Sequence, residues 1–340
     1  MSGDARIGGS EGHLEIAFVG DVMLGRLVAE ELRRRPPEYP WGDTLPLLRR
    51  ADALVGNLEF VLADDGEPWP GKVFHFRADR PAVASLEAAG FALVSAANNH
   101  LLDFGTDAAL ESLATLAQRG IRFAGAGANA DAARRPAVIR RDDLTIAMLA
   151  FTDNEPDWEA RPESPGVHHV PVDLDDPRAA ALLDAVARER EVVDVLIVSA
   201  HWGGNWGVDV PRSHRAFARA LVDAGADVVF GHSPHIVRGV EVYRDRPILY
   251  GAGDFIDDYM VDPVERNDRS FVFVLSTEDA VPTELRLHPT EIVDFHVRLA
   301  DWHAAEIANG MAHRCAALGT HAVWDDDEGC LVIRILPASA

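Results

Sequence analysis

Six short apolar runs punctuate this chain of 340 residues, and amphipathic stretches of helical period separate them, which leaves few architectures open. The runs, rich in Val, Ile and Leu, are Leu14–Val19, Ala53–Val55, Ala92–Ser95, Thr145–Phe151, Val193–Ser199 and Asp227–Phe230. Helices are expected over Thr44–Arg50, Pro81–Ala89, Thr106–Arg119, Asp176–Glu191 and Ser213–Ala224. Asp176-Pro177 supplies a capping side chain and a first-turn proline, and Gly90, Gly120 and Gly225 each follow a helix. Strands alternating with helices call for largely parallel pairing in a layered α/β fold.

After about residue 238 the pattern changes. Gly239–Tyr243 and Pro247–Tyr250 flank the turn Arg244-Asp245-Arg246 and read as a hairpin. Strands are expected at Phe271–Ser276, Thr283–Leu287 and Asp294–Leu299, then a helix over Asp301–Leu318 and a strand over Cys330–Ile335. With no linker of biased composition, the reading is one domain over 1–290 carrying a mixed second sheet. Residues 291–340 form a small helix-and-strand appendix packed on it.

The residues that end the strands carry the functional signal, because ligands of α/β sheets gather beyond the strands' carboxyl ends. The first run ends in Gly20-Asp21, the second in Asn57-Leu58-Glu59, and the third in Asn98-Asn99-His100. The fifth runs into His201-Trp202-Gly203, and the sixth into Gly231-His232-Ser233-Pro234-His235. Singly, each has an ordinary structural reading: a turn cap, a turn former, a packed or a surface histidine. Together they are read as one shared site. Imidazole with carboxylate and no thiolate suits Mn, Fe or Zn. Asp21, Glu59, Asn99, His201, His232 and His235 are too many ligands for one open site, and suit two divalent ions sharing a carboxylate at about 3.5–4 Å. Such ions would activate a bound water for attack, with His100 as general acid, and Arg26 would fork onto an anionic group of the substrate.

Charge narrows the partners. Basic residues number 32 and acidic ones 55, a net −23 that repels nucleic acid and anionic membrane surfaces. An anionic substrate stays compatible, since bound cations would dominate a pocket's local potential. Lys72 is the only lysine, in keeping with the arginine-, alanine- and glycine-rich character of the chain. Two cysteines, Cys315 and Cys330, make neither a disulfide framework nor a cysteine-rich zinc site. The first residues lack the basic start and apolar run of a signal peptide, and no stretch is long and apolar enough to span a membrane. The expected location is cytoplasmic; the oligomeric state is left open.

At these residues the chain resembles the capsule-synthesis protein CapA family (poly-γ-glutamate synthesis), within the calcineurin-like metallophosphoesterase superfamily. The segments are GDVMLGR (20–26), GNLEF (56–60), AANNHLLDFG (96–105), HWG (201–203), GHSPH (231–235) and ILYGAGDF (248–255). The resemblance implies a four-layer αββα sandwich of the metallo-dependent phosphatase type with mixed sheets and two metals at one edge. It implies Asp21 and His235 on the first metal and Asn99, His201 and His232 on the second. Glu59 would bridge them and His100 protonate the leaving group. Met23 stands where the wider superfamily has a histidine ligand, and Asp254 where the CapA family usually shows asparagine.

The implied activity is metal-dependent hydrolysis of a phosphoester or a related bond, γ-glutamyl amides included. The alternative is a non-catalytic or accessory protein of poly-γ-glutamate or capsule polymer synthesis or release. The corresponding partner is an anionic small molecule or a γ-glutamyl polymer. Elsewhere, Asp254, Asp257 and Asp258 read as a solvated turn, His168-His169 as exposed loop, and Trp202 with Trp206 as a loop packed over the site. Lys72 and His75 are placed near the second motif without an assigned role.

Overall fold

A computed structural model of the chain describes residues 12–336, so the first eleven residues, read above for a leader, lie outside the described part. All six apolar runs form strands: Leu14–Val22, Ala53–Leu58, Phe91–Ser95, Leu144–Thr152, Val195–His201 and Val228–His232. Several reach past their apolar run, because the polar terminal residues keep the ladder bonds of their neighbours. His201, for example, still pairs with His232 and Thr152.

Two large sheets result. In the ten-stranded one, Leu14–Val22, Ala53–Leu58, Phe91–Ser95 and Arg122–Ala124 lie parallel. Arg269–Glu278, Val281–Val293 and Cys330–Arg334 continue it antiparallel from the other side of Leu14–Val22. The six-stranded sheet sets Leu144–Thr152, Val195–His201, Val228–His232 and Arg246–Leu249 parallel, with Ala137–Arg141 and Val240–Tyr243 antiparallel at its edges.

The period-two alternation of side chains sets the layers. Ile16 and Phe18 face the same core as Met148, Ile197 and Phe230, which is the space between the sheets. Their neighbours Ala17 and Val19 face Val28, Leu48 and Leu86 on the helices Arg26–Leu32, Leu45–Arg50 and Val83–Ala89. On the far side, Leu149 and Val198 meet Leu182 and Phe217 of Pro177–Arg190 and Arg212–Asp223. The order is helix, sheet, sheet, helix.

The chain after residue 238 departs from the expected single second sheet. Its hairpin completes the six-stranded sheet, whereas Arg269–Glu278 and the strands after it extend the sheet begun by Leu14–Val22. Leu14–Val22 has two edges to satisfy, and only one is taken by Ala53–Leu58. The strand expected at Thr283–Leu287 runs the length of Val281–Val293, and Asp294 belongs to a turn: Asp294 and Phe295 have φ of 49° and 60° before His296–Leu299 folds back. Beyond it, the helix Ala304–Ala317 sends Ile307, Met311 and Cys315 into the between-sheet core, and both cysteines are buried and unpaired.

Candidate metal centre

The parallel strands of both sheets end at one edge, and the polar residues at their ends converge there. Asp21, Glu59, His201 and His232 are almost wholly buried, and His100 and His235 nearly so. Ligand atoms of Asp21, His201 and His232 lie within 4.8 Å of one another, as do those of Asp21, His235 and Asp254. The residue shared by the two groups is thus Asp21. Glu59 lies beside them, its Oε1 3.8 Å from His100 Nε2.

A chain of amides orients Asp21. The His100 backbone N–H donates to Asn98 Oδ1 (3.0 Å), and Asn98 Nδ2 donates to Asn57 Oδ1 (3.0 Å) and the Leu58 carbonyl (2.7 Å). That leaves Asn57 Nδ2 to donate to Asp21 Oδ1 at 2.8 Å and Glu59 Oε2 at 3.3 Å. Asn98 therefore serves the network, while the neighbouring Asn99 keeps its buried Oδ1 without a partner. On the other sheet, His201 Nδ1 and His232 Nδ1 are 2.9 Å apart, and His232 Nε2 is 2.7 Å from Ser199 Oγ. His201 Nε2 has no partner.

Asp254 overturns the expected solvated turn. Asp254 is fully buried, Asp257 nearly so, and the Asp258 side chain is covered as well. The cause is a close approach of two Gly-Asp pairs. A Cβ on Gly20 would stand 1.8 Å from the Gly253 carbonyl oxygen, and Gly253 itself has φ +70°. With glycine at both places, Asp21 N–H reaches Gly253 O at 2.9 Å and Asp254 falls into register with Asp21. Asp254 Oδ1 then meets His235 Nδ1 at 2.9 Å. The repeat of Gly20-Asp21-Val22 in Gly253-Asp254-Phe255 is the signal from which Asp254 was legible.

Between His232 and His235, Ser233 holds φ 97°, which brings both imidazoles to the same site. Such strain persists only where the surroundings over-determine it.

Burial dominates the electrostatics. It pushes Glu59 well above the usual carboxylate range, reinforced by the Asp21 charge, and does the same to Asp254. Asp257 is raised likewise, by burial and then by Asp254. Burial also drives His201 well down, His232 to about 3 and His100 to about 4. Among the described residues, no Lys or Arg pairs with Asp21, Glu59, Asp254 or Asp257, and one oxygen on each of the three aspartates has no hydrogen-bond partner. An uncompensated carboxylate cluster in a buried site either takes up protons or binds cations. The oxygen and imidazole donors, with no thiolate, fit divalent ions of the Mn, Fe or Zn kind.

His100 is held from three sides. Its Nδ1 is 2.6 Å from Asp103 Oδ2, the Phe76 ring stacks on it at 4.0 Å, and its Nε2 side faces Glu59. Asp103 is fully buried, and its i,i+3 spacing from His100 in the turn was the available signal for it. Arg26 is half-exposed, with φ 50°, 5.8 Å from the Phe76 ring and 3.2 Å from Asp258 Oδ2.

Other expectations divide. Trp202 is buried beneath the smaller sheet, donating to the Tyr250 carbonyl at 3.0 Å, so only Trp206 reaches the site, edge-on to His235 at 5.8 Å. His168 and His169 are buried and not exposed loop: His168 N–H bonds Gly125 O, and its Nδ1 lies 3.0 Å from Ala150 O. His75 sits against Trp69 O and the Phe104 ring. No helix among the described residues is long and apolar enough to cross a membrane.

A probable polyglutamine synthesis accessory protein of Mycobacterium tuberculosis is 36% identical over 282 residues, covering 71% of this chain and 73% of its own length. The PGA biosynthesis protein CapA of Bacillus subtilis is 30% identical, covering 73% of this chain and 64% of the relative. The capsule biosynthesis protein CapA of Bacillus anthracis is 29% identical, covering 72% and 60%. The chain thus spans somewhat under two thirds of each Bacillus protein. The family model for the bacterial capsule synthesis protein PGA_cap matches residues 15–259, which include every strand-end residue of the candidate site, and the chain belongs to that CapA family.

Proposed function

We propose that this protein is a metal-dependent hydrolase whose site holds two divalent cations. The observation that carries the reading is the pair of ligand groups sharing Asp21 inside a buried carboxylate cluster with which, among the described residues, no Lys or Arg forms an ion pair. Asp21, His201 and His232 would hold one cation, the unpartnered Asn99 Oδ1 being a further candidate ligand, and Asp21, His235 and Asp254 the other, with Glu59 adjoining. When bound, the pair supplies Lewis acidity toward a substrate oxygen and a water of lowered pKa.

The chain's own groups do the rest. Asn57 keeps Asp21 and Glu59 oriented through its amide hydrogens. His100, fixed at Nδ1 by Asp103, donates from Nε2 to the leaving oxygen or nitrogen. Asp103 stabilises the doubly protonated ring that a buried histidine otherwise resists. Arg26, half-exposed beside Phe76, offers a guanidinium to an anionic group once it is released from Asp258. Substrates of the right class are phosphoesters and γ-glutamyl amides, small or polymeric.

The test is a screen of the Mn-loaded protein against phosphomonoesters, phosphodiesters and γ-glutamyl peptides. His100→Ala is expected to lower kcat by about 10²–10⁴-fold while the metal content stays unchanged. Absence of bound Mn, Fe or Zn after every reconstitution would sink the reading. The names of the relatives, a probable polyglutamine synthesis accessory protein and a PGA biosynthesis protein, favour a second one, an accessory role in the synthesis of such a polymer. That reading expects capture of a polymer synthase or exporter by the protein, with His100→Ala fully competent.

A further inference from the structure

Lys72 is the only lysine among 32 basic residues, so at every other basic position of this chain arginine serves. The exception lies against the proton donor. Lys72 has only 14% of its side chain exposed, and its ammonium donates to the Asn99 backbone carbonyl and, at 2.5 Å, to Asp103 Oδ1. It stands 3.3 Å from His100 Nδ1, both nitrogens converging on the Asp103 carboxylate, and 4.7 Å from the centre of the Trp158 ring. A compact tetrahedral head can donate in these divergent directions, whereas a longer planar guanidinium presents its donors as a fixed fork.

The segment bearing Lys72 is tied down through the same aspartate. Trp69 N–H donates to Asp103 O at 2.7 Å and Phe76 N–H to Asp103 Oδ2 at 2.8 Å, and the Phe76 ring then covers His100. Between these anchors the loop tip is exposed: Val73 is 82% and Phe74 60% accessible. Asp103 therefore gathers one backbone N–H, one imidazole nitrogen and one ammonium on two carboxylate oxygens.

We propose that Lys72 is a positioning residue for His100: its ammonium latches the 69–76 strap to Asn99 and Asp103, so that Asp103 accepts the Nδ1 proton and the ring presents Nε2 to the site. This rests on the reading of His100 as proton donor. Without the latch, Asp103 loses its only Lys or Arg partner among the described residues, and the imidazole loses the geometry that selects its tautomer.

Two independent measurements test this. In the first, Lys72→Met and Lys72→Arg are each expected to lower kcat by about 10–100-fold, the loss typical of an outer-shell partner, with metal content unchanged. KM should stay within about twofold, since the lost interaction acts on the transition state and not on binding. Lys72→Cys alkylated with bromoethylamine rebuilds an ammonium of near-lysine length and should recover most of the rate. The two native thiols are fully buried and pushed up to about 11, so alkylation spares them. Full activity in Lys72→Arg, a loss carried by KM, or no recovery on aminoethylation of a folded Lys72→Cys protein would overturn the proposal.

The second measurement uses the metal-free protein with nitrogen-15 in its histidines, the His100 signals being assigned by their loss in His100→Gln. The proton is expected on Nδ1 in the parent protein and shared between the two nitrogens in Lys72→Met. An unchanged tautomer overturns the proposal. If the parent protein hydrolyses no ester or amide, the hydrolase reading fails by itself, and the tautomer decides the role of Lys72.

Discussion

The strand Val228–His232 is entered from Asp227 and ends in His232, and the two edges of the molecule treat their buried charges in opposite ways. At the entry edge, Asp227 receives Arg190 and, at 3.0 Å, Arg246, and its Oδ2 also accepts Leu196 N–H at 2.8 Å. Glu241, on an edge strand of the same sheet, is likewise answered by Arg215, Arg219 and the Tyr250 hydroxyl. At the exit edge, Asp21, Glu59, Asp254 and Asp257 have imidazoles and each other for company and, among the described residues, no guanidinium paired with them. A buried acid whose charge is answered within the fold is architecture; a cluster of acids left unanswered is a place for something from outside.

Neutralising the acid common to both ligand groups is the strongest attempt to break that contrast. Asp21→Asn should take bound Mn from about two equivalents per chain to below one, with activity lost alongside. Metal analysis of the purified variant gives the answer, and two retained equivalents would dissolve the distinction.

Next comes a pair of substitutions that should move stability in opposite directions. Asp227→Asn strips two arginines of their partner and should destabilise the protein by about 1–3 kcal/mol, leaving metal content alone. Asp254→Asn replaces a buried acid, unfavourable to ionise and without a Lys or Arg partner among the described residues, by a neutral amide, and should stabilise the metal-free protein at pH 8 by about 1 kcal/mol. Denaturant unfolding of both in the presence of chelator decides; shifts of the same sign would contradict the comparison.

The smallest effect is in pH. Glu59 and Asp254 are raised in the fold, so the metal-free protein holds more protons than its unfolded chain and loses stability as pH climbs. His232 and His100 are depressed to about 3 and about 4, so their contribution is gained as pH rises toward the ordinary value of 6.5 and is constant above it. Above 6.5 these histidines add no further change, whereas protons held on the raised carboxylates would compete with an added cation. The Tm increase produced by Mn should therefore be larger at pH 8 than at pH 6.5, and thermal melts showing the reverse would count against the site. Asp227 supplies the control: in Asp227→Asn the Mn increment should be the same as in the parent protein.

Local pattern was enough for much of this. The apolar runs announced the strands around the site, and the polar residues just past them announced Asp21, Glu59, Asn99, His100, His201, His232 and His235 as candidates. Asp254 was misjudged because Asp254, Asp257 and Asp258 look like a solvated turn when only neighbours in sequence are counted. Their burial comes from a contact between glycines 233 positions apart. The role of Lys72 was hidden for a similar reason: nothing in the spacing between a loop lysine and a turn aspartate says that it touches Asp103.

By itself, then, the order of amino acids determined that helices and strands alternate, which faces are apolar, and which reactive side chains wait at strand ends, since each depends on periodicity and short-range turn chemistry. Only the tertiary structure decided which carboxylate the two ligand groups share, which acids are neutralised and which are not, and what holds His100. Those depend on how two sheets close on one another, and hence on distances between residues that sequence separation does not encode.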